Sequence, residues 1–426
     1  MIDYDTALQR LLAQARRLPA ELSALAQAAE RILAADLISP IALPSFDHAA
    51  MDGYALSAGE ALAAGTEHAV RGSQAAGDAA RGSLGGAWEI MTGARLPDGL
   101  DAVIAVERAE LIEARPDGTP LRIRLREPLA AGRNVRLTGS DVAAGEAVLG
   151  AGTRIECAHL MLLAALGVAQ VAVVRRPRIA IICTGKELQA DLAQALRPGQ
   201  IYNSNGPYLT AALAALGAHV LSCDTVDDSA VTYGAALRRA IDADADLVIS
   251  TGAVSMGRYD FVPDTLRQFN AELLFHKVAI RPGRPLLAAR LDHGPLVVAL
   301  PGTPMAVVAG LRFFVTPLLR AMTGQGGEPP LRAILDSPQQ PKAGLRHFLR
   351  ATLHQDAEGQ WHAAVPSQQQ PYRIQPFAQA DAWVVLGEDA GDCAAGTRVE
   401  VVGLECGRSL STGNAHQAQA GWRGSP

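Results

Sequence analysis

Between residues 178 and 319 the chain alternates short apolar runs with helix-like segments, and this alternation limits the possible folds more than any other feature. Residues 179–183, 220–226, 247–250 and 296–300 read as strands, and 207–216, 233–241, 263–269 and 305–319 read as helices. Apolar strands alternating with helices build a parallel sheet covered on both faces. Around this core the texture changes. Residues 46–150 hold short alternating segments between Gly-rich turns such as Asp117-Gly118, as expected of an irregular β domain. Residues 331–405 are also β-like, enough for a small barrel or sandwich, and follow a Gly/Pro-rich linker at 323–330. Residues 4–35 show helical spacing twice: at Leu8, Leu11, Leu12 and Ala15, then, after Pro19, at Leu22, Leu25, Ala26 and Ala29. Residues 157–174 predict an apolar helix, a stop at Gly167 and a strand.

The expected fold class is multidomain α/β plus β: a three-layer α/β domain with a parallel-type sheet, an irregular β domain inserted N-terminally, and a small C-terminal β-barrel-like domain. The expected boundaries are 1–43 with 150–176 as a helical linker domain, 44–149 as the insert, 177–325 as the α/β domain, 330–405 as the C-terminal domain, and 406–426 as a loose tail. A length of 426 residues suits that number of parts.

The charge balance, 38 Lys+Arg against 43 Asp+Glu, gives no general attraction to nucleic acid or an anionic membrane, so any anion site must be built locally. The five cysteines include no CxxC pair, which argues against a zinc site or a disulfide framework. The start of the chain has no apolar core of a signal peptide. The run 160–174 is broken by Gln170 and is shorter than a membrane span. These features predict a soluble cytoplasmic protein.

In open parallel sheets ligands bind beyond the carboxyl ends of the strands. Three strand ends here run into loops that combine glycine with hydroxyl residues: Thr184-Gly185-Lys186-Glu187, then Thr251-Gly252-Ala253-Val254-Ser255, then Pro301-Gly302-Thr303-Pro304. Glycine lets backbone approach an anion, and N–H groups at a following helix N-terminus can supply donors. One such loop is an ordinary turn; three in one α/β unit point to a phosphate or oxyanion site. Neither a Walker A loop nor GxGxxG occurs, which disfavours a triphosphatase or a Rossmann dehydrogenase. Glu187, Asp227, Asp228 and Asp260 follow the same strand ends and are candidates for Mg²⁺, which takes one or two carboxylates plus substrate oxygens. Lys277, Arg281 and Arg284 flank Pro282-Gly283 and are candidate anion clamps.

Further motifs lie upstream: Met51-Asp52-Gly53-Tyr54-Ala55, Met91-Thr92-Gly93-Ala94, and Gly132-Arg133-Asn134-Val135-Arg136 with Gly139 and Asp141. Others are Gly199-Gln200-Ile201 with Ser204-Asn205, and Pro282-Gly283 with Pro285. In this order, with the three loops, they resemble the MoeA family of molybdopterin molybdenumtransferases, which includes the gephyrin E domain. The resemblance spans residues 4–405. It implies insertion of molybdate, with tungstate the alternative oxyanion, into the dithiolene of adenylylated molybdopterin, releasing AMP with the help of Mg²⁺. It also implies a homodimer with the site shared between subunits, and dealings with other cofactor-biosynthesis proteins and recipient molybdoenzymes. Carried over residue by residue, the catalytic set is Asp52, Thr92, Asp141, Glu187, Asp227 and Asp260, with Glu187, Asp227 and Asp260 as metal ligands. The substrate-binding set is Gly252, Ser255, Lys277, Arg284, Pro301, Gly302, Thr303 and Pro304.

The chain departs from the family pattern at Ala49, Lys186, Ala253, Arg258 and Thr303. Two of these changes make the loops more positive; the carboxylates remain. The competing readings are a molybdopterin adenylyltransferase, which consumes ATP without molybdate, and a catalytically diverged scaffold.

Overall fold

The computed structural model describes residues 1–79, 82, 85–254, 261–292 and 294–404. The expected tail at 406–426 therefore lies outside the described residues. The chain forms two compact units: Leu22–Val173, and Met1–Glu21 together with the chain from Val174 onward.

The unit Leu22–Val173 is built around a six-stranded sheet in the order Ala102–Ala105, Gly53–Leu56, Ala87–Ile90, Glu67–Gln74, Pro120–Leu125, Ala109–Ala114. Both faces of the strand Gly53–Leu56 are covered: Tyr54 and Leu56 join a core with Ile104 and Ile123, while Ala55 joins Trp88, Ile90 and Val103. This is the irregular β domain that the alternating segments predict. The helix expected over 22–29 does not form. Residues Ala20–Ala24 are a strand paired with Gln170–Val174, followed by a short 3₁₀ turn, Leu25–Gln27. The amide of Leu25 donates to the Ala169 carbonyl at 2.9 Å, and that of Ala34 to Ala172 at 3.0 Å. A sequence-distant strand thus satisfies this backbone, and tertiary pairing overrides a local periodicity that carries little intrinsic helix stability. The helix Cys157–Ala165 does form and ends at Gly167, whose φ is 72°.

In the other unit a six-stranded sheet runs in the order His219–Val226, Arg178–Thr184, Leu247–Thr251, Leu296–Leu300, Leu287–Arg290, Glu272–His276. The first four strands are parallel, as the βα alternation predicts, and the last two are antiparallel additions that the sequence pattern does not reveal. Helices Ala230–Asp242 and Val262–Gln268 pack on one face through Tyr233, Leu237, Val262 and Leu266. On the other side, the helical run Pro304–Thr323 is interrupted by a π turn at Leu311–Val315. The cause is local: Pro317 has no N–H to give the Phe313 carbonyl, which instead accepts the Tyr4 hydroxyl at 3.1 Å. Tyr4 is held edge-on to Phe314 and Phe348, so the first helix, Tyr4–Leu12, seals this side. These 20 residues are long and apolar enough to cross a membrane, but 83% of the apolar window is buried in the protein. They form a core helix.

Residues 331–403 close into a five-stranded barrel: Arg346–Gln355, Trp361–Ala364, Leu331–Leu335, Arg398–Gly403, Ala382–Leu386 and back to Arg346–Gln355. Its interior holds Ala333, Leu335, Ala351, Ala363, Val384, Leu386 and Val401. Ile280–Arg281 pairs in parallel with Arg346 and His347, which fastens the Pro282-Gly283 loop to the barrel.

Candidate active site

The three glycine–hydroxyl loops meet at the carboxyl ends of the parallel strands, where topology predicts a ligand crevice. They line a cavity of about 880 Å³ with Thr184, Glu187, Thr251, Gly252, Ala253, Pro301, Gly302, Thr303 and Pro304 on its wall. The loops are tied to one another. The Thr184 hydroxyl donates to the Thr251 carbonyl at 3.0 Å, the Gly252 amide to the Leu300 carbonyl at 3.0 Å, and the Asn205 side-chain amide to the Gly302 carbonyl at 2.8 Å. A Cβ at Gly252 would lie 2.6 Å from the Thr184 carbonyl oxygen, and its φ is 92°, so both contact and conformation require glycine. Ala253, where the family pattern has a second glycine, keeps the left-handed backbone with φ 49°. The substitution is thus tolerated at a strain of about 1–2 kcal/mol.

The charged lining is mixed. Arg281, Arg284 and Lys342 supply positive charge; Glu187 and Asp228 supply carboxylates. The Lys186 amide donates to Asp228 at 3.3 Å, which draws the first loop toward the strand end at Val226. The outer wall comes from the C-terminal segment: Lys342, Leu345, Pro371 and an exposed Tyr372. Buried Arg350 holds that segment by donating to the Arg373 and Gln368 carbonyls, each at 2.6 Å.

Several expected residues fall elsewhere. Asp227 does not line the cavity; it accepts a short hydrogen bond from the Thr232 hydroxyl. Lys277 is absent from the cavity wall as well, and its amide donates to the Leu286 carbonyl at 3.0 Å. Ser255, Arg258 and Asp260 lie outside the described residues. The helix that begins at Pro304 does not offer its first amides: Met305 N–H donates to the Pro371 carbonyl, and the Ala306 and Val307 N–H groups to the Thr303 carbonyl. The amides of Met305, Ala306 and Val307 are thus already engaged by carbonyl oxygens.

In the other unit Asp52 and Thr92 are brought together. Asp52 Oδ1 accepts the Thr92 amide at 2.6 Å and its hydroxyl at 2.7 Å, and these bonds, the amide first, hold the exposed carboxyl below its usual 3.8. The neighbouring motif glycine is structural. A Cβ at Gly53 would lie 1.9 Å from the Ile104 carbonyl oxygen, so only glycine lets the two strands pair here. Asp141 is exposed in a loop whose amide donates to the Leu43 carbonyl at 2.9 Å. Tyr372, Lys342 and Asn205 are the wall and tie residues that motif reading did not select; Asn205 lay within a quoted motif, but the other two had no local signal.

An open α/β domain with a crevice at its strand ends and a closed barrel, in a chain that also carries a β-rich unit, defines a multidomain α/β plus β class. Family models match three successive stretches: the MoeA N-terminal region (domain I and II) at residues 2–167, a probable molybdopterin binding domain at 180–321, and the MoeA C-terminal region (domain IV) at 332–404. The chain belongs to the MoeA family. It is 34% identical to the molybdopterin molybdenumtransferase of Synechococcus elongatus, over 95% of this chain and 100% of that one. It is 35% identical to molybdopterin molybdenumtransferase 2 of Mycobacterium tuberculosis, over 92% of this chain and 97% of the relative. Two solved structures of the molybdopterin biosynthesis MoeA protein from Pyrococcus horikoshii match with TM-scores of 0.81 and 0.78 at 28% identity, covering 95% and 94% of this chain and 99% of their own.

Proposed function

We propose that this chain, a transferase of molybdenum cofactor biosynthesis, inserts molybdate into adenylylated molybdopterin at the strand-end crevice and releases AMP. The observation that carries the reading is the lining of that crevice, in which Arg281, Arg284 and Lys342 face a space of about 880 Å³ alongside Glu187 and Asp228. Cations accept the phosphate groups and the oxyanion. The carboxylates fit Mg²⁺, which takes one or two of them with substrate oxygens filling the rest of its shell. Glu187 and Asp228 would hold it from the described wall, with Asp260 the third carboxylate assigned by family resemblance. Bound Mg²⁺ would neutralise charge on the phosphate bridge as AMP departs. The remaining work belongs to the chain: Arg284 and Arg281 orient the anions, and the tied loops fix the ligand against the sheet end. The family resemblance also assigns Asp227 to the metal set and Lys277 and Ser255 to substrate binding.

The same reading includes a cytoplasmic homodimer in which Asp52, Thr92 and Asp141 of one subunit complete the crevice of the other. It also keeps 1–43 with 150–176 as a domain separate from 44–149. The test is incubation of purified protein with adenylylated molybdopterin, Mg²⁺ and molybdate or tungstate, following AMP and cofactor formation. Arg284→Ala should raise the molybdate concentration for half-maximal rate by about tenfold, the loss expected for one charge-assisted contact worth ~1.5 kcal/mol. ATP consumption without molybdate would instead favour an adenylyltransferase, and no turnover with either oxyanion would favour a scaffold.

A further inference from the structure

A second cluster of metal-ligating side chains lies on the outside of the C-terminal barrel. His354 and His362 are directly opposite each other on the antiparallel strands Arg346–Gln355 and Trp361–Ala364, and their rings stack at 5.2 Å with 28° between planes. Asp336 directly follows the strand Leu331–Leu335, which runs parallel to Trp361–Ala364 with Leu335 beside Ala363. Its carboxylate reaches both rings: Oδ1 is 3.0 Å from His362 Nδ1 and Oδ2 is 3.7 Å from His354 Nδ1. One ligand atom from each of the three residues lies within 4.8 Å of the others. Asp356, in the turn between the two histidine strands, sits 3.1 Å from His362 Nε2 and is itself fixed by the Glu358 and Gln360 amides at 3.1 and 2.8 Å.

We propose that Asp336, His354 and His362 form a binding site for a borderline divalent ion of the Zn²⁺ class, with Asp356 as the group that orients His362. Two imidazoles and one carboxylate suit Zn²⁺, Co²⁺ or Ni²⁺ and not Mg²⁺, which prefers oxygen ligands. Without a metal, Nδ1 and Nε2 of His362 each face a carboxylate, at 3.0 and 3.1 Å; with an ion bound, Asp356 would take the Nε2–H and the Nδ1 lone pair would go to the ion, the usual role of a carboxylate behind a ligating histidine. A tetrahedral ion needs its ligand atoms roughly 3.3 Å apart, so atoms that lie within 4.8 Å of one another must close by at most about 1.5 Å, within side-chain reach. The alternative occupant is a proton on His362 shared by the two aspartates. That arrangement stabilises one charged ring but leaves His354 stacked on it with no gain, whereas a metal binds both rings in their neutral form. The site ties three strands together on an open face, so an ion can enter from solvent. It lies outside the crevice lining and makes no use of the transferase reading.

The experiment uses the full chain, stripped with chelator and dialysed. Zn²⁺ is titrated by calorimetry at neutral pH, and Co²⁺ by its visible absorption, which reports a tetrahedral nitrogen–oxygen shell. Wild type is expected to take up one equivalent at micromolar or lower Kd, with no heat from Mg²⁺. His354→Ala and His362→Ala should abolish that uptake, and Asp356→Asn should weaken it by about 10–100-fold. Since other histidines and cysteines also bind metal, NMR of the wild-type imidazoles during addition of diamagnetic Zn²⁺ locates the ion without any variant. Shifts confined to His354 and His362 support the site. Uptake that survives either histidine variant, shifts at other histidines, or no uptake at all overturns it.

Discussion

Asp52 and Gly53 are adjacent in one motif, yet the structure gives them different work. Gly53 is a packing residue. A methyl group there meets the Ile104 carbonyl oxygen at 1.9 Å, and both flanking strands are fixed by cores on either face. Gly53→Ala should destabilise the protein by roughly 1–3 kcal/mol, the usual overpacking range, as a lower urea midpoint at unchanged slope. Asp52 is an exposed carboxyl held in place by Thr92 and proposed to act in catalysis. Its carboxyl is lowered by the Thr92 amide and then by the Thr92 hydroxyl. A carboxyl whose folded pKa lies below 3.8 adds stability that is fully present above that value and is lost as pH falls through the folded pKa. Thr92→Val removes the hydroxyl and keeps the amide, so a carboxyl-detected NMR titration should move Asp52 part of the way back toward 3.8. An unmoved titration would assign the lowering to the amide alone.

At the scale of elements, the outer wall of the crevice depends on Arg350, a residue that no motif contains. Its guanidinium is buried within the barrel edge, and burial lowers its pKa; the charge is retained through bonds to the Gln368 and Arg373 carbonyls. These bonds, with the Met305 amide on the Pro371 carbonyl, set where Tyr372 stands. Arg350→Met keeps the bulk and strips the donors from two partly buried carbonyls, at a cost of roughly 1–3 kcal/mol. Hydrogen exchange over 366–373 should speed up well before global unfolding, and KM for the proposed adenylylated substrate should rise more than kcat falls. Equal exchange in both proteins would show that the segment is held by the rest of its contacts. The same scale accounts for the misread helix at 22–29: Leu22, Leu25, Ala26 and Ala29 have the right spacing, but strand pairing with 170–174 satisfies the backbone instead.

At the scale of the molecule the open question is whether two subunits share each site. In the proposed dimer, Asp52→Ala and Asp260→Ala should each be nearly inactive as homodimers. A mixed dimer has one site with both defects and one with neither. Refolding an equal mixture should make about half of the dimers mixed and recover about a quarter of wild-type AMP release, by the symmetry of an isologous pair. If mass measurements confirm exchange and the mixture stays inactive, each chain builds its own site.

The sequence by itself determined the class of fold and the family. Apolar runs of strand length alternating with helices specify a covered parallel sheet, because each element must bury one face. Motif glycines and carboxylates kept in chain order identified the relatives. Only the tertiary structure decided that Asp228 rather than Asp227 faces the crevice, that the amides of Met305, Ala306 and Val307 are already engaged, and that Lys342 and Tyr372 belong to the wall. The histidine pair of the barrel was equally silent, since His354 and His362 become neighbours through strand register and meet Asp336 only through a third strand. The reason is common to all of these. Periodicity and motif spacing report what a residue does to its near neighbours in the chain, whereas these roles arise from contacts that close only when distant strands pair.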